Sequence, residues 1–281
     1  MTTTRLPGNG DKAPIFIPGG DAAVLCLHGF TGTPYEVAPL ARALGSAGFT
    51  VSAPLLAGHG QDARALANTH WQDWLASAEQ ALDGLRAATN GARVAIVGFS
   101  MGGLLALRLA RLRPGCVSAL AVLSAPLRLP GWQIAVARAW MRLPAFLRQG
   151  RLATVRKRGG SDVTDDNVRS ENPSLAEMPM AGIVDLVALG ELVRHELGHI
   201  HAPVLVAHGE RDRTVPLRAS YELVGSIGSD VVERVWLPRS GHLIGVDVER
   251  TQLCEALVRF IAKHHSTSTS IKAASNDGHV A

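Results

Sequence analysis

The sequence predicts an α/β fold: a mostly parallel, doubly wound sheet with an inserted helical cap. Three observations carry this expectation. Short apolar runs alternate with segments of helical spacing, the β-α-β-α rhythm of a sheet covered by helices on both faces. The rhythm breaks once, between Leu123 and Val204, over an interval far longer than one crossover helix needs. Hydrophobic residues form 47% and charged residues 19% of the 281, enough apolar material for a large core and too much for a disordered chain.

The elements follow in order. Residues 1–14 are polar, with two prolines and two glycines, and read as a flexible tail without the apolar stretch of a secretory leader. Strands are expected at Ala22–Leu27, Phe49–Ala53, Arg93–Val97, Ala119–Leu123, Val204–Ala207 and Val231–Leu237. The first five are almost wholly apolar, as central parallel strands are. Helices are expected at Glu36–Ala47, Trp71–Ala88, Gly102–Leu112, Arg218–Ile227 and Glu249–His264. The core thus comprises 15–125 and 197–263, the cap 126–196, and a Ser/Thr-rich, disordered tail 264–281. A doubly wound sheet binds its ligand beyond the carboxyl ends of its strands, so the residues just after each strand are the candidates for chemistry.

Bulk properties exclude several classes. The net charge of +4 with 5% aromatics and no basic run interleaved with them speaks against nucleic acid. No apolar run is long enough for a transmembrane segment. Cys26, Cys116 and Cys254 are odd in number and far apart, which suits a reducing cytoplasm and neither a disulfide framework nor a metal site.

Four loops carry the chemical signal. The strand Arg93–Val97 runs into Gly98-Phe99-Ser100-Met101-Gly102 and then a helix, the G-x-S-x-G pattern in its strand–turn–helix context. Such a turn lifts the Ser100 hydroxyl above the sheet, and the Met101 N–H at the helix start faces a developing oxyanion. After the first strand comes His28-Gly29-Phe30, where Phe30 N–H is the candidate second oxyanion donor and His28 reads as structural. After Val204–Ala207 comes His208-Gly209-Glu210-Arg211-Asp212, with Asp212 preferred over Glu210 as the acid that orients a histidine. His242, alone among eleven histidines, lies in the loop after the last strand. The chain order Ser100, Asp212, His242 is the order this strand–turn–helix nucleophile requires.

One motif competes. His195-Glu196-Leu197-Gly198-His199 matches the zinc signature H-E-x-x-H, but Ala202 and Leu205 stand where its longer form needs glycine and histidine. It also precedes a strand, at the end away from the other four signals. The expectation is no metal and no cofactor.

On HGFTGTPYE at 28–36, AGHG at 57–60, WQDW at 71–74, VGFSMGG at 97–103, HGERDRTVP at 208–216 and SGH at 240–242, the chain resembles thermostable carboxylesterases and bacterial monoacylglycerol lipases of the α/β-hydrolase superfamily. The likeness spans most of 20–262 and is weak in the cap. It implies a cofactor-free serine esterase acting on short- to medium-chain carboxylic esters, or on monoglycerides, as small ester or lipid substrates, with Ser100, Asp212 and His242 as triad and Phe30 and Met101 as oxyanion hole. Perhydrolysis or carbon–carbon bond hydrolysis would use the same triad. Within the cap, Gly131–Gln149 is rich in apolar side chains, and Trp132, Trp140, Met141 and Leu143 are candidates to line an acyl pocket. From Pro126 to Gly160 there are eight Arg or Lys and no Asp or Glu, read as a solvated face in preference to a surface for anionic lipid or acidic substrates.

Overall fold

The computed structural model describes residues 12–148, 153–157 and 159–276. Most of the expected N-terminal tail, the end of the C-terminal tail, and Gln149, Arg151 and Arg158 lie outside these. The chain order is β1 (Ile15–Ile17), β2 (Ala23–Leu27), α1 (Ala38–Ser46), β3 (Thr50–Ala53), α2 (Ala63–Ala67), α3 (Trp71–Ala88), β4 (Val94–Phe99), α4 (Met101–Leu112), β5 (Val117–Leu123), α5 (Gly131–Met141), β6 (Thr154–Arg156), α6 (Asp166–Glu171), β7 (Glu177–Pro179), α7 (Met180–Glu196), β8 (Val204–Gly209), α8 (Arg218–Ser226), β9 (Val232–Leu237) and α9 (Arg250–Asn276).

A seven-stranded sheet has the order β1-β3-β2-β4-β5-β8-β9, and only β1 is antiparallel to its neighbour. Alternation along the strands divides the core in two. Ala23, Leu25 and Leu27 of β2, with Val94 and Ile96 of β4, join one apolar cluster with α3, α4 and α7. Val24 and Cys26, with Ala95 and Val97, join the other with α1 and α9. Both faces of these strands are therefore dry, which is why their sequences read as unbroken apolar runs. α3 shows the helical counterpart: Trp74, Leu75, Ala78, Leu82 and Leu85 form its buried stripe. A capping box starts it, in which the Asp73 carboxylate accepts the His70 N–H at 2.8 Å.

After β2 the chain turns toward β3, on the α1 face; after β4 it turns toward β5, on the α4 face. Neighbouring strands β2 and β4 thus send their connections in opposite directions. The crevice at their carboxyl ends is the switch point where this kind of sheet binds ligands.

Several boundaries differ from the sequence reading. α1 begins at Ala38, because Pro34–Val37 forms a 3₁₀ turn and Pro39, lacking an N–H, fits only a first helical turn. β1 is too short to show a period. α9 continues past His264 to Asn276, into the segment expected to be disordered. That stretch contains no glycine or proline to stop a helix, and its Ala and Lys residues favour one.

Between β5 and β8 the chain leaves the sheet to form α5, the antiparallel pair β6 and β7 with α6 between them, and α7. α7 lies across α3 and α4, and α5 lies on α7. This excursion is tied to the loops after β8 and β9. The buried Asp247 carboxylate accepts N–H groups of Thr164, Asp165, Gly241 and Val248 at 2.7–3.0 Å. Asp162 accepts the Arg213 N–H and the Thr214 hydroxyl, at 2.8 and 2.9 Å.

Among the described residues no helix is long and apolar enough to cross a membrane.

Candidate active site

β4 runs straight into a turn at Ser100 with φ 52°, a left-handed conformation costly for a non-glycine residue. The surroundings enforce it. Ser100 N–H is held by the Leu123 carbonyl at 2.8 Å, while Ser100 O accepts Gly103 N–H and starts α4. Gly98 and Gly102 allow this packing, because a Cβ at 98 would stand 2.2 Å from Gly102 O and one at 102 would stand 2.3 Å from Leu27 O.

The close approach of Gly102 to Leu27 sets the nucleophile turn directly against the loop after β2. In that loop the neighbouring donors are committed: Gly29 N–H to the Glu36 carboxylate at 2.9 Å, Gly32 N–H to Gly29 O at 3.1 Å. Phe30 lies in this loop, and Met101 follows Ser100 as the first residue of α4. Phe30 is itself seated on α7, where a Cβ on Gly182 would overlap its ring at 2.4 Å.

Three side chains from three loops meet here. His242 Nε2 lies 3.0 Å from Ser100 Oγ, and His242 Nδ1 lies 2.7 Å from Asp212 Oδ2. Asp212 Oδ1 accepts N–H groups of Thr214 and Val215 at 2.8 and 2.7 Å. The carboxylate acceptor assigns the Nδ1–H tautomer to His242, leaving Nε2 to accept from serine. Burial alone would push the His242 imidazole down. The Asp212 charge and hydrogen bond, with Asp162 and Glu36 further off, outweigh it and hold the ring above its ordinary value. Burial would likewise raise Asp212, but the charges and hydrogen bonds of His242 and His208 hold it well below the usual carboxylate range. The arrangement can therefore keep a neutral base beside a serine hydroxyl, backed by a fixed negative charge, with N–H donors at a helix start.

The remaining candidates fall out differently. His28 is fully buried and accepts the Leu56 N–H at 3.1 Å through Nε2; burial drops its pKa to about 3, so it braces the loop as a neutral ring. Glu210 is exposed, its N–H held by the Leu237 carbonyl. The α-helix carrying His195 gives way to a 3₁₀ turn at Leu197, and Glu196 is paired with Arg108 of α4. This motif sits at the amino end of β8, at the opposite edge from Ser100. Among the described residues no group of three metal-ligating side chains comes together. Trp132 and Met141 stand largely exposed on α5, Trp132 at 66%, while Trp140 and Leu143 are partly covered and the Arg148 guanidinium lies over the Trp140 ring. In the basic segment Arg128 pairs with Glu222 and Arg138 with Glu191, acids supplied from outside it.

Sequence reasoning missed Glu36, Asp162, Asp247 and His208, all of which touch the loops that carry Phe30, Asp212 or His242. Glu36 and His208 lie inside quoted motifs, so their positions were visible and their partners were not. Asp162 and Asp247 had no signal at all.

A family described as serine aminopeptidase, S33, matches residues 19–249. The chain belongs to this family of α/β-hydrolases. The chain is 30% identical to the thermostable monoacylglycerol lipase of Bacillus sp. (strain H-257), over 89% of this chain and 94% of that one. It is 26% identical to a carboxylesterase of Bacillus subtilis (strain 168), over 89% and 96%. Among solved structures it is similar to one from the work on the metagenome-derived lipolytic enzymes LipS and LipT, with a TM-score of 0.81, 28% identity and coverage of 92% and 99%. A soluble variant of the monoglyceride lipase of Saccharomyces cerevisiae shares the fold at a TM-score of 0.69 and 18% identity, over 94% and 96%.

Proposed function

We propose that this α/β-hydrolase is a serine esterase acting on short- to medium-chain carboxylic esters, monoacylglycerols among them. The observation that carries the reading is the continuous hydrogen-bonded line from Ser100 through His242 to Asp212. The monoacylglycerol lipase and carboxylesterase names of the relatives support the ester class.

In this reading His242 Nε2 takes the Ser100 proton as Oγ attacks the ester carbonyl carbon. The carbonyl oxygen becomes an oxyanion held by the N–H groups of Phe30 and Met101. As the carbon–oxygen bond breaks, the imidazolium returns its proton to the departing alkoxide. Water then attacks the acyl carbon and loses a proton to His242; as the carbon–Oγ bond breaks, His242 returns that proton to Ser100 Oγ and the acid is released. Asp212 stays ionised throughout and stabilises the imidazolium. Protein, ester and water supply every proton and electron pair, so the scheme calls for no cofactor.

Residues 126–196 act in this proposal as a cap over the switch point. The apolar surface that α5 leaves open at Trp132 and Met141 supports assigning Trp132, Trp140, Met141 and Leu143 to the acyl chain. A reducing, cytoplasmic setting goes with it, supported by three unpaired cysteines, of which burial pushes Cys26 up to about 12 and Cys254 to about 11.

The test is hydrolysis of p-nitrophenyl esters from acetate to palmitate, with an aminoacyl p-nitroanilide alongside, for wild type and Ser100→Ala, each with and without EDTA. Ester turnover indifferent to EDTA and at least about a thousandfold lower in the variant is expected. Turnover of the anilide with no ester cleavage would overturn the substrate class. EDTA-sensitive activity that survives Ser100→Ala would overturn the mechanism.

A further inference from the structure

The line of hydrogen bonds does not end at Asp212. His208, the penultimate residue of β8, is fully buried and stands against the far side of the same carboxylate. Its Nε2 is 3.1 Å from Asp212 Oδ2 and 3.1 Å from the Val215 carbonyl oxygen. Its Nδ1 is 2.7 Å from Ser220 Oγ on α8. Two acceptors face Nε2, so that nitrogen carries the proton; Nδ1 then accepts from the Ser220 hydroxyl. The N–H is directed at Val215, with Asp212 Oδ2 equally near to one side. Two imidazoles thus bear on one carboxylate oxygen, His242 at 2.7 Å and His208 at 3.1 Å. Val215 closes the circuit, because its own N–H donates to Asp212 Oδ1 at 2.7 Å.

Resting on the triad reading above, we propose that His208 is a positioning residue for catalysis: clamped by Ser220, it holds the 212–215 turn and moderates the charge on the Asp212 oxygen that orients His242. Burial explains why the position is stringent. An apolar residue there leaves Ser220 Oγ and the Val215 carbonyl without their partner and removes a positive dipole from beside Oδ2. The groups that face His242 are Asp212, Asp162 from the stretch after β6, Glu36 from the turn after β2, and the Phe99 ring at 5.0 Å. Of these only Asp212 is in contact with His208, so a change at 208 reaches His242 through that carboxylate.

The experiment compares His208→Met, His208→Gln and Ser220→Ala with wild type and Ser100→Ala, reading kcat, KM and the pH profile of kcat/KM on p-nitrophenyl butyrate. In His208→Gln a side-chain amide N–H replaces the ring donor. His208→Met should lower kcat at least tenfold with KM within about twofold. It should also move the acid limb to higher pH, since a carboxylate with one donor fewer binds the His242 imidazolium more strongly. His208→Gln should restore most of kcat and the wild-type limb. Ser220→Ala, which leaves the ring in place, should shift the limb in the same sense by less, and it carries the test if His208→Met does not fold. Wild-type kcat and limb in a folded His208→Met, or equal losses in Met and Gln variants with an unmoved limb, would overturn the proposal. Activity surviving in Ser100→Ala would instead overturn the triad reading on which it rests.

Discussion

Replacing Gly102 by alanine sets two effects against each other. Gly102 lies in the first turn of α4 without a positive φ, so alanine suits the backbone and is intrinsically favoured by about 1 kcal/mol. The close approach of two chain segments acts the other way. A Cβ at this position stands 2.3 Å from Leu27 O and 2.8 Å from His28 O. Because such contacts essentially never fall below 3.0 Å, the gap must open by about 0.7 Å. Both partners are backbone, one at the end of a central strand and one at the start of a buried helix, so no side chain can swing away. In the proposed mechanism the displacement would fall on the separation of the Phe30 and Met101 N–H groups, which these same segments carry. A misplacement approaching 1 Å costs on the order of 10²-fold in rate, comparable to losing one oxyanion donor. A drop of about 10²-fold in kcat/KM, about 3 kcal/mol of transition-state stabilisation, is therefore expected, mostly in kcat. Overpacking should reduce stability by about 1–3 kcal/mol, partly offset by helix preference. Steady-state kinetics on p-nitrophenyl butyrate, paired with urea unfolding, measures both. A folded Gly102→Ala protein within threefold of wild-type kcat would refute the reasoning.

Further outcomes follow from the same geometry. His242 must be neutral to act, and its pKa lies above its ordinary 6.5, so activity should fall as pH drops through a value above 6.5. Asp162→Asn and Glu36→Gln each remove a negative charge that raises it and should move that limb down; a wild-type limb below about 6 would contradict the assignment. Asp247→Ala leaves four N–H donors without their acceptor, that of Gly241 buried and those of Thr164 and Asp165 half-buried, and should cost about 1–3 kcal/mol of stability in urea unfolding. It should also weaken kcat, because one of those donors is Gly241, next to His242. His195→Ala should leave ester turnover unchanged within twofold, whereas a loss comparable to that of Ser100→Ala would reinstate the H-E-x-x-H motif.

The sequence by itself determined the sheet, the turn at Ser100 and the order of the three loops that carry Ser100, Asp212 and His242. Each of these is a local matter. Strand burial shows as an apolar run, the Ser100 turn needs glycine at 98 and 102, and an acid or a histidine just beyond a strand is visible without knowing its neighbours. The tertiary structure decided what these loops rest on. Glu36 beneath the oxyanion loop looks like any surface glutamate until Gly29 N–H is seen to donate to it. Asp247 acts across Thr164 and Gly241, and Asp162 across Arg213 and Thr214, pairs too distant in sequence for any spacing rule to join. The surroundings of His195 and Glu196 are likewise products of packing, in the change from α-helix to 3₁₀ turn at Leu197 and the pairing of Glu196 with Arg108. Buried polar side chains find their partners wherever the fold delivers them, and a sequence specifies that delivery only through the whole chain at once.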